Sequence, residues 1–341
     1  MPTNVTPEYK KAEEAYRAAR DPGERLDCLK EMLRTIPKHK GTEHLQADIK
    51  SRIKQLTEAL SGPKKGGRRT GPATVIRAEG AAQIALVGPP NAGKSLLHSK
   101  LTGSRTEVGP YPYATRFPEP GMLPVDDANL QLIDLPPVSA DHSPGWLPAA
   151  LQPADAALLV VDVSDPDCVD QLIEVTTWLS EHRIRLVPDW PKAAGPAQDE
   201  REEDADPFRQ DLPTLLVANK SDLDPDPDEV AVLEELTGVH FPAVTVSAET
   251  GAGLNGIGPF LFDNLGIVRV YTKTPGKPAE TNKPFTLRNG DTVLDVATLV
   301  HKDIAGKLRF ARIWGNSVFD GQQVGPEHAV EDGDIVELHM G

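Results

Sequence analysis

Apolar positions change their spacing twice along the chain, and the changes divide it into three stretches. Between residues 7 and 60 they recur at helical intervals. Leu26, Leu29, Met32 and Leu33 form one run that Pro37 ends, and Leu45, Ile49, Ile53, Leu56 and Leu60 form a longer stripe. Steps of three and four residues place such side chains on one face of an α-helix. Thr6-Pro7-Glu8 is a helix start: the hydroxyl caps the first turn, and proline suits the first helical position, where its missing N–H is no loss. From Gln83 to about Gly266 the pattern becomes short, unbroken apolar runs at 84–87, 130–133, 156–161, 215–217 and 243–246, separated by helical segments. Unbroken runs mark strands covered on both faces, so a mainly parallel sheet with helices on both sides is expected. After Val268 the strands at 268–271, 285–287, 310–314 and 335–338 surround one helix at about 292–301. That order suits a small β-grasp module, although periodicity alone leaves other α+β folds open.

The predicted organisation is therefore a helical region with its linker at 1–71, an α/β domain at 72–267 and a β-rich module at 268–341. The linker, residues 61–71, reads SGPKKGGRRTG and is basic and glycine-rich. The stretch 188–211 is acidic and proline-bearing, and is expected to be an exposed loop.

Charge sharpens this division. The net charge of −15 is uneven: residues 1–79 carry 17 Lys and Arg against 11 Asp and Glu, residues 268–341 carry 9 against 10, and the middle carries 10 against 30. A basic arm on an acidic body makes the arm the expected place for contact with nucleic acid, a solvated helical face being the alternative. No apolar run approaches the ~18 residues of a membrane span, the N-terminus lacks a signal-peptide pattern, and the two cysteines, Cys28 and Cys168, read as ordinary thiols. Together these predict a cytoplasmic protein without membrane contact.

The chemistry enters at Gly88-Pro-Pro-Asn-Ala-Gly-Lys-Ser95, which matches G-x-x-x-x-G-K-[ST] between a predicted strand and a predicted helix. Such a loop cradles phosphate oxygens with its backbone N–H groups and adds the field of the helix N-terminus. Gly88, Asn91, Ala92, Gly93, Lys94, Ser95 and Leu96 are its expected nucleotide-binding residues, with Lys94 on the β and γ phosphates and Ser95 on Mg²⁺. Asn219-Lys-Ser-Asp222 follows the 215–217 run and decides the base. A carboxylate at Asp222 accepts two N–H bonds from guanine that adenine cannot offer, Asn219 bonds the imidazole side, and the Lys220 stem covers the ring. Ser247-Ala248 follows the next strand and would present a backbone N–H to guanine O6. GTP and GDP are the expected ligands. Thr115, in Tyr111-Pro-Tyr-Ala-Thr-Arg-Phe117, and Asp134, ending the 130–133 run, are the further candidates for the Mg²⁺ shell. A small-molecule kinase using the same loop is disfavoured by the NKSD motif and by the lack of a lid-like arginine cluster.

The set GPPNAGKS, YPYAT, DLPP, NKSD and SAETG resembles the Obg-like GTPases, and within them the developmentally regulated GTP-binding (DRG) proteins. The segments VRVYTKTPGKP, DTVLDVATLVHKDI, FARIWGNSV and VEDGDIVELH resemble that family's TGS domain, a ubiquitin-like β-grasp, and KGTEHLQADIKSRIKQLTEAL resembles its helical domain. The resemblance covers most of the chain. It implies a P-loop G domain, a slow GTPase switch that associates with ribosomes or rRNA through the basic arm and the TGS domain, and the roles given to Ser95, Thr115, Asp134, Asn219 and Asp222. Relatives often carry a small domain inserted in the G domain, where this chain has only the acidic stretch. Relatives with Pro-Asn in the phosphate loop can use the asparagine to help bind K⁺, which makes Asn91 a candidate for a second cation.

Two departures bear on turnover. The family's Asp-x-Pro-Gly is Asp134-Leu-Pro-Pro137 here, and proline has no N–H to give to the γ-phosphate. Val138 stands where many GTPases keep a water-orienting glutamine, a family trait. With no evident general base, His142 and Arg116 are the weak catalytic candidates, and hydrolysis is expected to be slow. The alternative is a nucleotide-binding adaptor with little turnover.

Overall fold

The computed structural model describes residues 6–19, 22–60, 74–104, 116–139, 143–192, 206, 208–223, 229–238, 240–315 and 319–341. It divides into two compact units, one of residues 1–72 with 199–209 and one of 73–198 with 210–341.

The first unit is built from three helices, α1 (Pro7–Ala18), α2 (Pro22–Thr35) and α3 (Glu43–Leu60). The Thr6 hydroxyl accepts the Tyr9 N–H and so caps α1. The apolar stripes meet in a core of Tyr9, Ala12, Leu29, Met32, Ile36 and Ile49. One core residue comes from far along the chain: Phe208 is buried among these helices, edge-on to Tyr16 with centroids 6.0 Å apart and with the Arg52 guanidinium 4.3 Å above its ring.

The second unit holds a seven-stranded sheet. Its strands are β1 (Ala82–Val87), β2 (Glu119–Val125), β3 (Ala128–Asp134), β4 (Ala156–Asp162), β5 (Ile184–Val187), β6 (Gln210–Asn219) and β7 (Ala243–Thr245). They lie in the order β2-β3-β1-β4-β6-β5, with β7 also on β6, and only the β2–β3 pair is antiparallel. Successive side chains alternate between two cores. Ile84, Leu86, Leu158, Val160, Leu215 and Val217 face one, and Ala85, Val87, Leu159, Val161 and Leu216 face the other. This two-sided burial is why the central strands are apolar without a break. The helices of this part are α4 (Lys94–Thr102), α5 (Leu147–Leu151), α6 (Cys168–Glu181), α7 (Glu229–Thr237) and α8 (Ile257–Asn264). Parallel β1, β3, β4 and β6 all end at one edge of the sheet, the usual place for a ligand in such a fold.

The β-rich module has a five-stranded sheet. Its elements are β8 (Ile267–Lys273), β9 (Ala279–Arg288), α9 (Val293–Val300), α10 (Lys302–Ala305), β10 (Leu308–Trp314), β11 (Gln322–Val324) and β12 (Asp334–Met340). The order is β11-β10-β12-β8-β9, with β8 and β12 parallel at the middle. Asp295 accepts from both the N–H and the hydroxyl of Thr292 at 2.8 Å, which fixes the start of α9. Val293 and Val296 then pack on Val270, Leu287, Ala311, Ile313 and Val336. Arg269 joins the module to the α/β domain, reaching Asp127 at 3.1 Å, Asp332 at 2.7 Å and the Phe262 ring at 4.9 Å. Arg288 pairs with Asp155 at 3.2 Å. Among the described residues no helix is long and apolar enough to cross a membrane.

The stretch 188–211 differs from the expected exposed loop at both ends. Trp190 is buried in the α/β core, edge-on to Phe260, Phe208 lies in the helical core, and Gln210 and Asp211 already belong to β6. Residues 193–205 lie outside the described residues. The acidic composition of the stretch conceals two aromatic anchors, because average polarity says nothing about single large side chains.

Candidate nucleotide site

β1 runs into the phosphate loop at Gly88, whose φ of 151° and closeness to β4 admit no side chain: a Cβ would lie 2.2 Å from the Val160 carbonyl oxygen. At Gly93, φ is 90° and a Cβ would lie 2.3 Å from Asn219 Nδ2, so the loop and the base side of the site are in contact. α4 begins at Lys94. The Lys94 ammonium donates to the carbonyls of Gly88 (3.0 Å) and Pro89 (2.7 Å). Burial lowers its pKa from the usual lysine value to about 8, with the nearby Asp134 carboxylate acting the other way. Ser95 Oγ donates to Asp134 Oδ2 at 2.6 Å, so β3 and α4 bring together two of the expected Mg²⁺ ligands. A hydroxyl beside a buried carboxylate is a hard-oxygen set that suits Mg²⁺. Asn91 is exposed in the left-handed region (φ 60°), whereas Leu96 packs against the α/β core.

The base side is tied to the phosphate side through Asn219. This side chain is almost fully buried, donates to the Ala92 carbonyl at 2.8 Å and accepts the Ala248 N–H at 2.9 Å. The next residue, Lys220, reaches Asp162 on β4 at 2.5 Å. Asp222 accepts the Ser247 hydroxyl, which in turn accepts the Thr250 N–H at 3.1 Å. One backbone N–H of Ser247-Ala248 was expected to meet guanine O6, and here both are engaged: Ser247 N–H donates to the Ala252 carbonyl and Ala248 N–H to Asn219.

The phosphate-loop half of this site lies in a segment with a known counterpart. The family of 50S ribosome-binding GTPases matches residues 83–188, and the TGS domain family matches 268–340. Over 92% of this chain and 92% of its own length, a GTP-binding protein of Methanocaldococcus jannaschii is 28% identical. A developmentally regulated GTP-binding protein 2 homolog of Dictyostelium discoideum is 26% identical over 92% of this chain and 97% of its own. Developmentally regulated G-protein 1 of Arabidopsis thaliana is 28% identical over 90% and 88%. The chain is a DRG-like GTP-binding protein with a C-terminal TGS domain.

In this DRG-like chain the segment after Asp134 is closely held. Leu135, Pro136, Pro137 and Val138 are all buried, and Val138 packs in the α/β core with Leu147 and Leu159 instead of facing the loop. Pro136 and Pro137 have no N–H. The Val138 N–H donates to the Gly88 carbonyl at 3.0 Å, and the Ser139 N–H to Ser143 Oγ at 2.9 Å. Arg116 is exposed. Thr115 and His142 lie outside the described residues.

Two residues of the site were not singled out from the sequence. Asp162 ends a strand and precedes a turn, a common place for aspartate. His98, on α4, is buried between the Leu132 carbonyl (3.3 Å) and Ser104 Oγ (3.3 Å), and burial holds its pKa below the usual histidine value.

Proposed function

We propose that this protein is a slow, partner-stimulated GTPase switch that acts on the ribosome in the cytoplasm. The carrying observation is the Ser95–Asp134 contact beneath a phosphate loop that Asn219 bolts to the guanine-recognition segment. Ser95 and Asp134, with Thr115, would hold Mg²⁺, which supplies positive charge to the phosphates. Lys94 leaves the Gly88 and Pro89 carbonyls for the β and γ phosphates, whose charge favours its ammonium form. Asp222 and Asn219 read the base, and Asn91 would help hold K⁺ beside the phosphates. Val138, at the place where many GTPases keep a water-orienting glutamine, is apolar and lies in the core, which is why unaided turnover is slow.

The ribosomal part is supported by the basic charge of residues 1–79 and by the GTPase family that matches 83–188. The test is multiple-turnover GTP hydrolysis in potassium buffer with and without ribosomes, paired with salt-dependent cosedimentation. Stimulation by ribosomes, and binding that weakens with salt and is lost without residues 1–71, are expected. Equal turnover with and without ribosomes, and no cosedimentation at low salt, would overturn it.

A second reading is favoured by the Val138 N–H bond to Gly88: a nucleotide-binding adaptor that hydrolyses little, because Pro136, Pro137, Val138 and Ser139 leave no backbone donor for the γ-phosphate. Tight GTP binding without phosphate release, even with ribosomes, would select it.

A further inference from the structure

Asp162 has no part in the reading of the site given above, yet it touches the lysine assigned to the base. It closes β4 in register with Asn219, which closes β6, and the Val163 N–H donates to the Asn219 carbonyl at 3.2 Å. Its side chain is 11% exposed, and both carboxylate oxygens are engaged. Oδ1 accepts from the Ser164 N–H (3.1 Å) and hydroxyl (2.7 Å), which fixes the carboxylate; Oδ2 accepts from Lys220 Nζ (2.5 Å).

Lys220 needs such a partner. Its backbone is left-handed (φ 66°), a region that disfavours residues with a Cβ. A free lysine also has many rotamers, a freedom it would lose when its stem settles on a base. An ion pair with a largely buried, doubly held carboxylate takes that loss before the nucleotide arrives.

We infer that Asp162 is a positioning residue for the guanine base: through the Lys220 ammonium it sets the lysine stem over the ring, with Ser164 holding the carboxylate. This rests on the guanine-nucleotide reading of the site. The contact concerns the base and not the phosphates, so Asp162 contributes equally to GTP and GDP affinity. It acts only while Lys220 is present.

The test measures affinities for fluorescent GTP and GDP with wild type, Asp162→Asn, Asp162→Glu, Ser164→Ala, Lys220→Met and the Asp162→Asn/Lys220→Met double variant, with melting temperatures in parallel. Asp162→Asn is expected to weaken both nucleotides by the same factor, about tenfold, the worth of one charge-assisted hydrogen bond. Ser164→Ala should fall between it and wild type, Asp162→Glu should recover most of the affinity, and Asp162→Asn should cost less than about twofold when Lys220 is already methionine. Unchanged affinity in Asp162→Asn, unequal losses for GTP and GDP, or a full tenfold loss in the Lys220→Met background would each overturn the inference. If Asp162→Asn does not fold, Ser164→Ala decides, and affinities equal to wild type would overturn it. Wild type that binds no guanine nucleotide would overturn the site reading itself, an outcome distinct from all of these.

Discussion

Replacing Asn219 by alanine should destabilise the protein even in the absence of nucleotide. The residue belongs to the proposed base-recognition motif, but in this structure its amide is a bolt between two loops: it donates to the Ala92 carbonyl at 2.8 Å and accepts the Ala248 N–H at 2.9 Å. Ala92 and Ala248 are themselves buried, at 0% and 2% exposure, so water cannot easily replace the lost partner. An unsatisfied buried polar group costs ~1–3 kcal/mol, and two of them with partial relaxation cost about 2–4 kcal/mol. At about 2–4 °C per kcal/mol for a domain of this size, the melting temperature should fall by roughly 4–16 °C. The assay is thermal unfolding of nucleotide-free wild type and Asn219→Ala, followed by the same comparison with GDP and Mg²⁺. The gap should widen with GDP, because the variant also loses ligand-linked stability. A nucleotide-free variant melting within about 1 °C of wild type would refute the reasoning and leave Asn219 with a role only toward the ligand.

Other predictions concern the phosphate side. The folded pKa of Lys94, about 8, lies below that of an unfolded lysine, so the unfolded state binds more protons between those values and stability rises with pH there. In nucleotide-free urea titrations, wild type should gain about 2 kcal/mol on Lys94→Met between pH 7 and 9.5, whereas parallel behaviour would show that the ammonium is not held as described. Pro137→Gly restores a backbone donor, and the ratio of GTP to GDP affinity and the turnover rate should both rise; unchanged values would mean that the proline does not limit γ-phosphate sensing. Hydrolysis should be faster in KCl than in NaCl at equal ionic strength if Asn91 helps hold K⁺, and equal rates would remove that role.

What the sequence disclosed follows from how burial writes itself into residue order. The central strands were legible because side chains such as Leu158 and Leu159 enter opposite cores, leaving no polar position between them. Short β5 and β11 offered too few residues for a pattern, and β2 was concealed by Pro120, Gly121 and Pro124, which an edge strand accommodates because part of its backbone faces outward. The phosphate loop and NKSD were legible because their chemistry restricts residue type at fixed spacing. Phe208 was not, since a lone aromatic in an acidic stretch has no period. Nor was the Asp162–Lys220 contact, which joins residues 58 positions apart and exists only once the strands align. The Val138 bond to Gly88 shows the same limit: Pro137 announced a missing donor, but only the fold reveals that the next one is taken.

The central claim is that the site reads a guanine base through Asp222 and Asn219. Competition of unlabelled GTP, GDP and ATP against a fluorescent guanine nucleotide, in Mg²⁺, tests it most directly. GTP and GDP should displace the probe at similar concentrations, and ATP only at more than about 100-fold higher concentration, because adenine leaves the Asp222 carboxylate without its two N–H partners. ATP competing as well as GTP would contradict the account.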